Sequence, residues 1–225
     1  MKAVYLIHLT AQNRSDETIE RWFREFKRTR HYSAYEDGFL WPVSLFYAAN
    51  FREFKNSLIY ESTQLNRKPN RRDKYDMPAY ALFAIYNENH KLIGIARLRR
   101  ELTEKAYTTG AGHLSLGIFA EYRNQGYGRL AMQRLLTRAP YYCRADLWTD
   151  PNLDQSQPCR RFPWRPAKVG APSRLLLSCH ETNASAERII ASCGATPFCT
   201  EPHMEYGHIR MVKKFWLPTP TPSMS

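Results

Sequence analysis

Leu114-Ser-Leu-Gly-Ile-Phe-Ala-Glu-Tyr-Arg-Asn-Gln-Gly-Tyr-Gly-Arg-Leu-Ala-Met132 holds a strand, a tight turn and the start of a helix in nineteen residues. The apolar run Gly112–Phe119 predicts a strand, and Tyr127–Ala139 predicts a helix that Pro140 should stop. Between them Arg123-Asn-Gln-Gly-Tyr-Gly128 has the spacing Arg-x-x-Gly-x-Gly. Glycine lets the backbone approach a ligand closely and take angles that other residues resist, so that successive N–H groups can converge on one anion. The start of a helix adds unpaired donors and the positive end of its dipole, and Arg123 and Arg129 add full charges. A pyrophosphate suits such a turn. The Lys-Ser/Thr pair of a nucleotide-hydrolysing loop is missing, and the turn is too short for the dinucleotide pattern G-x-G-x-x-G.

Working outward, the N-terminal third is patterned for helices. Ile19, Trp22, Phe23 and Phe26 recur at helical spacing within Asp16–Arg28, with Ser15 or Asp16 placed to cap, and Phe51–Leu65 can align Phe51, Phe54 and Leu58 on one face. Asn66–Lys74 is then a basic loop. From Pro78 the period changes: Ala79–Tyr86 and Leu92–Arg99 flank the turn residues Asn87–Lys91 and predict a β-hairpin. Beyond the central helix, Pro140–Ser173 has no period and reads as an irregular insertion. Leu175–Cys179 predicts a buried strand, Ala184–Ser192 a helix with Gly194 at its C-terminal cap, and His208–Leu217 a last strand. The expected order is helix, helix, β, β, β, α, β, α, β. That is a mixed α/β (α+β) sheet in one domain over residues 1–217, with 218–225 a disordered tail.

Composition bounds the function. The 225 residues include 43% hydrophobic and 13% aromatic residues, which argues against disorder, and no apolar run approaches the ~18 residues of a membrane span. Val4–Leu9 is too short and too broken by His8 for a secretory leader, so a cytoplasmic protein without membrane attachment is expected. Cys143, Cys159, Cys179, Cys193 and Cys199 show no C-x-x-C pairing and no histidine at zinc-ligand spacing, which predicts no metal. The net charge of +12 suits a phosphorylated cofactor, a nucleic acid or a merely solvated basic surface. Basic stretches at Arg67–Lys74 and Arg160–Lys168, the second interleaved with Phe162 and Trp164, leave RNA open as a partner.

The stretch 114–132 resembles the strand-turn-helix signature of the GNAT superfamily of N-acetyltransferases, whose pattern is Arg/Gln-x-x-Gly-x-Gly/Ala. Leu175–Ala195 is similar to the later strand and helix of that superfamily, with Asn183 to Ala186 matching its Asn-x-x-Ala pattern. The hairpin 79–99 and the strand Gly207–Trp216 resemble a predicted-acetyltransferase branch. The resemblance implies a mostly antiparallel twisted sheet flanked by helices and splayed at its central strands. It also implies acetyl-CoA as acyl donor and transfer by direct attack of an amine, from a small molecule or a macromolecule, and it allows a homodimer. Residue by residue, it implies that the backbone of Ile118 and Phe119 meets the pantetheine arm. Arg123, Asn124, Gln125, Gly126, Tyr127, Gly128 and Arg129 would hold the pyrophosphate, and Asn183 and Ser185 would lie beside the arm or the thioester.

Acyl transfer needs a neutral amine, and an alkyl amine with a pKa near 10.4 is almost wholly protonated at neutral pH, so a group or a water chain must take its proton. Glu101, Glu104 and His113, on or before the central strand, are candidates for that base. Glu121 is better suited to fixing the turn. Many members of the superfamily carry a tyrosine acid seven residues after the asparagine matched by Asn183; here that position is Ile190, which leaves Tyr206, Ser185 or water. Cys179 and His180 are neighbours on a strand and must point to opposite faces, so they form no thiol dyad. A cofactor-binding but catalytically silent regulator and a basic RNA-binding module are the alternatives to an active enzyme.

Overall fold

The computed structural model describes residues 2–29, 43–64, 79–100, 102, 110–142, 174–205 and 208–218. Seven strands form two antiparallel sheets. The first has the order β1-β2-β3-β4, built from Val4–His8, Tyr80–Asn87, Leu92–Arg99 and Leu114–Ile118. The second has the order β5-β7-β6, built from Arg174–His180, His208–Pro218 and Thr196–Glu205.

Three helices cover one face of the first sheet. α1 (Asp16–Arg28) starts where the Ser15 side chain accepts from the Thr18 N–H at 3.4 Å. Asp16 and Glu17 lie in its first turn and Lys27 and Arg28 in its last, each sign matching the helix dipole. α2 (Val43–Tyr47) is short, and α3 (Phe51–Thr63) is capped reciprocally: Asn50 accepts from the Glu53 N–H at 3.0 Å while Glu53 accepts from the Ala49 N–H at 2.8 Å. Trp22, Phe26, Phe46 and Phe54 pack there against Leu82, Ala84 and Ile95 of the sheet. On the opposite face, α4 (Tyr127–Tyr142) and α5 (Ala184–Ser192) close a second core, in which Ala131 and Leu135 meet Phe83, Ile85, Leu175 and Phe215. No helix among the described residues is long and apolar enough to cross a membrane.

The hairpin, the central strand, both later helices and the last strand stand where the periodicity put them, and Gly194 takes the positive φ of +83° expected past a helix end. Four features differ. Val4–His8 is a strand: Val4 and Leu6 serve one core while Ile7 and Leu9 serve the other, so no polar face marks it. α2 was not expected. β6 carries Pro197 and Pro202, residues that lack a ladder donor, and is tolerated because it is the edge of its sheet. α4 runs through Pro140 to Tyr142 rather than stopping. The lost hydrogen bond is offset at the helix end, where the Tyr142 ring packs edge-on against His8 and Phe83 at 5.7 and 5.3 Å. The basic stretches Arg67–Lys74 and Arg160–Lys168, the rest of the 140–173 insertion and residues 219–225 lie outside the described residues.

Main chain just before β4 joins the two sheets, and there the Ser178 hydroxyl donates to the Gly110 carbonyl at 2.5 Å. The His113 N–H donates to the Leu176 carbonyl at 2.7 Å, and the Leu176 N–H donates back to His113 Nδ1 at 2.9 Å. Gly112 lets them come so close: a Cβ there would stand 2.5 Å from the Leu176 oxygen and 3.0 Å from Leu177 Cα, both backbone atoms. Gly112→Ala is therefore expected to lower stability by about 1–3 kcal/mol, visible as a reduced urea midpoint with an unchanged slope.

Candidate functional site

Beyond the seam the sheets diverge, and the gap between β4 and β5 is a cleft of about 410 Å³. Main chain forms one wall. In the β3–β4 ladder the Arg99 N–H donates to His113 O at 2.8 Å and the Phe119 N–H to Ile93 O at 2.9 Å. Hydrogen bonding alternates along an antiparallel pair, so the odd-numbered residues of this strand face β3. Leu114, Leu116 and Ile118 thus turn their N–H and C=O groups to the cleft. This corrects the expectation for Phe119: its amide is spent on β3, and its side chain is buried in the core under α1–α3. Leu116 and Ile118 are the neighbours that line the cleft.

Past Ile118 the chain makes one 3-10 turn, Ala120–Tyr122, and enters Arg123–Gly128. Arg123 Nε donates back to the Ile118 carbonyl at 2.9 Å, which ties the turn to the strand. Asn124 and Gly126 have φ of +59° and +87°, and nothing stands within 4 Å of a Cβ built on Gly126, so the backbone is open there. Gly128, in the first turn of α4, lines the cleft together with Ile118 and Arg123. Tyr127 instead points inward, buried, with its hydroxyl donating to Glu88 at 2.9 Å. Glu88 also accepts from the Ala3 N–H at 3.2 Å, and Lys2 Nζ donates to the Gln125 carbonyl at 2.8 Å, so the N-terminal residues brace the turn from behind. Asn124, Gln125, Tyr127 and Arg129 contribute no side of the cleft.

The facing wall comes from β5 and α5. Asn183 is the N-cap of α5, its Oδ1 accepting from the Ala186 N–H at 3.0 Å, and both Asn183 and Ser185 line the cleft. Two helix N-termini, those of α4 and α5, therefore open onto one cavity, and both dipoles favour negative charge in it. Ile190, at the position where the tyrosine was expected, lines the cleft and is buried. The hydroxyl is replaced by an aliphatic surface.

The candidates for proton transfer are placed unequally. Glu101, Glu104 and Tyr206 lie outside the described residues. His113 is 0% exposed and belongs to the seam, not to the cleft wall. Burial pushes its pKa down to about 3, with Arg99 adding to the shift and the bond from Leu176 opposing it, so the ring is neutral with Nδ1 as an acceptor. Cys179 points into the core, where burial and then Glu187 raise its thiol to about 11. His180, the next residue, lies on the other side and lines the cleft, with Thr182, Ser178 and Arg210 nearby in the wall. Sequence reasoning weighed His180 only as half of a thiol pair. The alternation that excluded the pair was the signal that pointed it at the cavity.

The sequence matches the Acetyltransferase (GNAT) family over residues 44–161, and the chain belongs to that family. A search among curated proteins finds no match. Among solved structures, the microcin C7 self-immunity acetyltransferase MccE, in complex with acetyl-CoA and AMP, superposes with a TM-score of 0.53 at 11% identity, over 96% of this chain and 92% of that one. A mutant of the spermidine N-acetyltransferase SpeG from Vibrio cholerae gives 0.50 at 14% identity, over 96% and 94%. The likeness is one of fold.

The seam histidine makes stability depend on pH. A ring that titrates near 6.5 when unfolded and near 3 when folded binds its proton in the unfolded chain first, so stability is full above pH 6.5 and falls as the pH drops toward 3. His113→Asn keeps an acceptor at the place of Nδ1 and removes the titration. Between pH 7 and pH 5 the wild type is expected to lose about 2 kcal/mol more than this variant, measured by urea unfolding at both values.

Proposed function

We propose that this chain is an acetyl-CoA-dependent N-acetyltransferase that passes the acetyl group to an amine directly, both substrates being bound at once. The observation that carries the reading is the cleft between β4 and β5, with cleft-facing main chain at Leu116 and Ile118 along one wall and the glycine turn at the head of α4 at its end. The residues fit the donor. Gly126 leaves the backbone open at the α4 N-terminus, Gly128 lines the cleft where Ile189 Cδ1 of α5 would stand 2.8 Å from a Cβ, Arg123 adds charge, and the strand amides suit the amide groups of a pantetheine arm. MccE, of the same fold, holds acetyl-CoA in its crystal structure.

When bound, acetyl-CoA supplies an activated thioester. The protein supplies placement and proton handling. An N–H of Leu114 or Leu116, the cleft-facing amides away from the glycine turn, is suited to the negative charge that develops on the carbonyl oxygen. An imidazole nitrogen can accept a proton, and His180 is the histidine in the cleft wall. We assign it the amine proton, taken directly or through one water, and assign His113 the task of holding the two sheets in register. A thiol has a pKa near 8.5, so the thiolate can leave and take its proton from water, and Ile190 in place of a tyrosine is compatible with turnover. Residues 1–217 work in this reading as one unit.

Calorimetric titration of acetyl-CoA is expected to give micromolar binding for the wild type and none for Gly128→Glu, whose carboxylate would fill and repel the phosphate seat. His180→Gln should bind acetyl-CoA as tightly as the wild type while kcat falls roughly 100-fold, followed by release of free thiol in a screen of amines. Binding without thiol release for any amine would instead identify a silent regulator. Absence of binding at moderate salt would end the acetyltransferase reading.

A further inference from the structure

Arg97 is a buried cation without an ionic partner among the described residues. It lies on β3 at 7% exposure, with its guanidinium carbon 4.3 Å above the Tyr80 ring, and its Nε is buried without a hydrogen-bond partner. Arg99 is two residues along the strand and so on the same face. It is 2% exposed, its Nη1 donates to the Gly112 carbonyl and to Ser115 Oγ at 2.8 Å each, and its Nε is also buried without a partner. The carboxylate set against this pair among the described residues is Glu61. It is buried too, accepts the Tyr80 hydroxyl at 2.5 Å, and makes no ion pair with either arginine. Among the described residues two guanidiniums face one carboxylate, an excess of positive charge in a place where an unpaired charge is costly. Burial and the neighbouring Arg97 push Arg99 down to about 9.

The arrangement is built to present Arg97. Glu61 fixes Tyr80, Tyr80 is the platform on which the guanidinium lies flat, and a flat fork takes an oxyanion group by two parallel bonds. Its place in the fold links it to the cleft. Ser115 touches Arg99 and also lines the cleft, near the start of β4 and thus at the opposite end of the strand from the phosphate turn. In the donor orientation proposed above, that end receives the thioester and the incoming amine.

We infer that Arg97, backed by Arg99, is the seat for an oxyanion group on the acyl acceptor, so that the acceptor is an amine bearing a carboxylate or a phosphate. The inference rests on the acetyltransferase reading and adds the substrate class to it. A single anionic group would balance the excess charge, and its fixed distance from the amine would select among acceptors.

The test compares acceptors that differ only in the acid group: β-alanine against its carboxamide, other amino acids against theirs, and phosphoethanolamine against ethanolamine. The wild type is expected to favour the acidic member of at least one pair by tenfold or more in kcat/KM, and the pair that responds tells a carboxylate site from a phosphate site. Arg97→Gln should lose ten- to hundredfold on the favoured acid, mostly through KM, and change its neutral twin less than threefold. Arg97→Lys should recover part of the loss, which a purely structural role would not produce. Calorimetry with acetyl-CoA on the same proteins separates the two readings: if the wild type does not bind it, the acetyltransferase reading fails. If it binds acetyl-CoA and transfers equally well to neutral twins, or to no acidic amine, the acceptor inference alone is overturned. Should neither Arg97 variant fold, the wild-type ratio of acid to neutral twin decides.

Discussion

Everything in the site follows from one close contact, the approach of Gly112 and His113 to the backbone of Leu176. The two sheets share a core under α4, and at this contact their main chains touch. Pinned at that seam, they must diverge on one side of it, and divergence leaves the even-numbered amides of β4 without strand partners. A gap in a sheet is normally a defect, because buried N–H and C=O groups demand partners. Here it is maintained by a histidine that has to stay neutral and by a glycine that cannot carry a side chain. The cavity, its polar wall and its position between two helix N-termini are consequences of that geometry.

Most of the fold was legible because most elements have one buried face. α1 shows it with Ile19, Trp22 and Phe26, and α5 shows its ends with Asn183 as cap and Gly194 past the last turn. The elements that escaped share a reason of another kind. Val4–His8 sends apolar side chains to both cores, so alternation vanishes; the prolines of β6 contradict strand chemistry unless its place at the sheet edge is known; and the turn that outlasts Pro140 is held by rings of β1 and β2 that no local window contains. Local rules were overruled in each case by contacts between distant segments.

The glycine turn Arg123–Gly128 was readable for the opposite reason. Its function needs backbone angles and open space, and only glycine announces those in a sequence. Which amide faces which strand has no such marker. Ile118 and Phe119 are equally apolar neighbours, and only the register of the β3–β4 ladder assigns one to the cavity and the other to the sheet. Which histidine lines the cleft was harder still to read, since His113 and His180 differ in burial and direction but not in chemistry. The isolation of Arg97 was invisible, because a missing partner leaves no trace in the chain.

The wall contributed by β4 is made of peptide groups, and peptide groups are the same in every residue. Its ability to grip a ligand is therefore transmitted by the path of the backbone, not by the identity of the side chains along it. Sequences could drift far apart at Leu114, Leu116 and Ile118, provided the strand stayed splayed and apolar, with the grip unchanged.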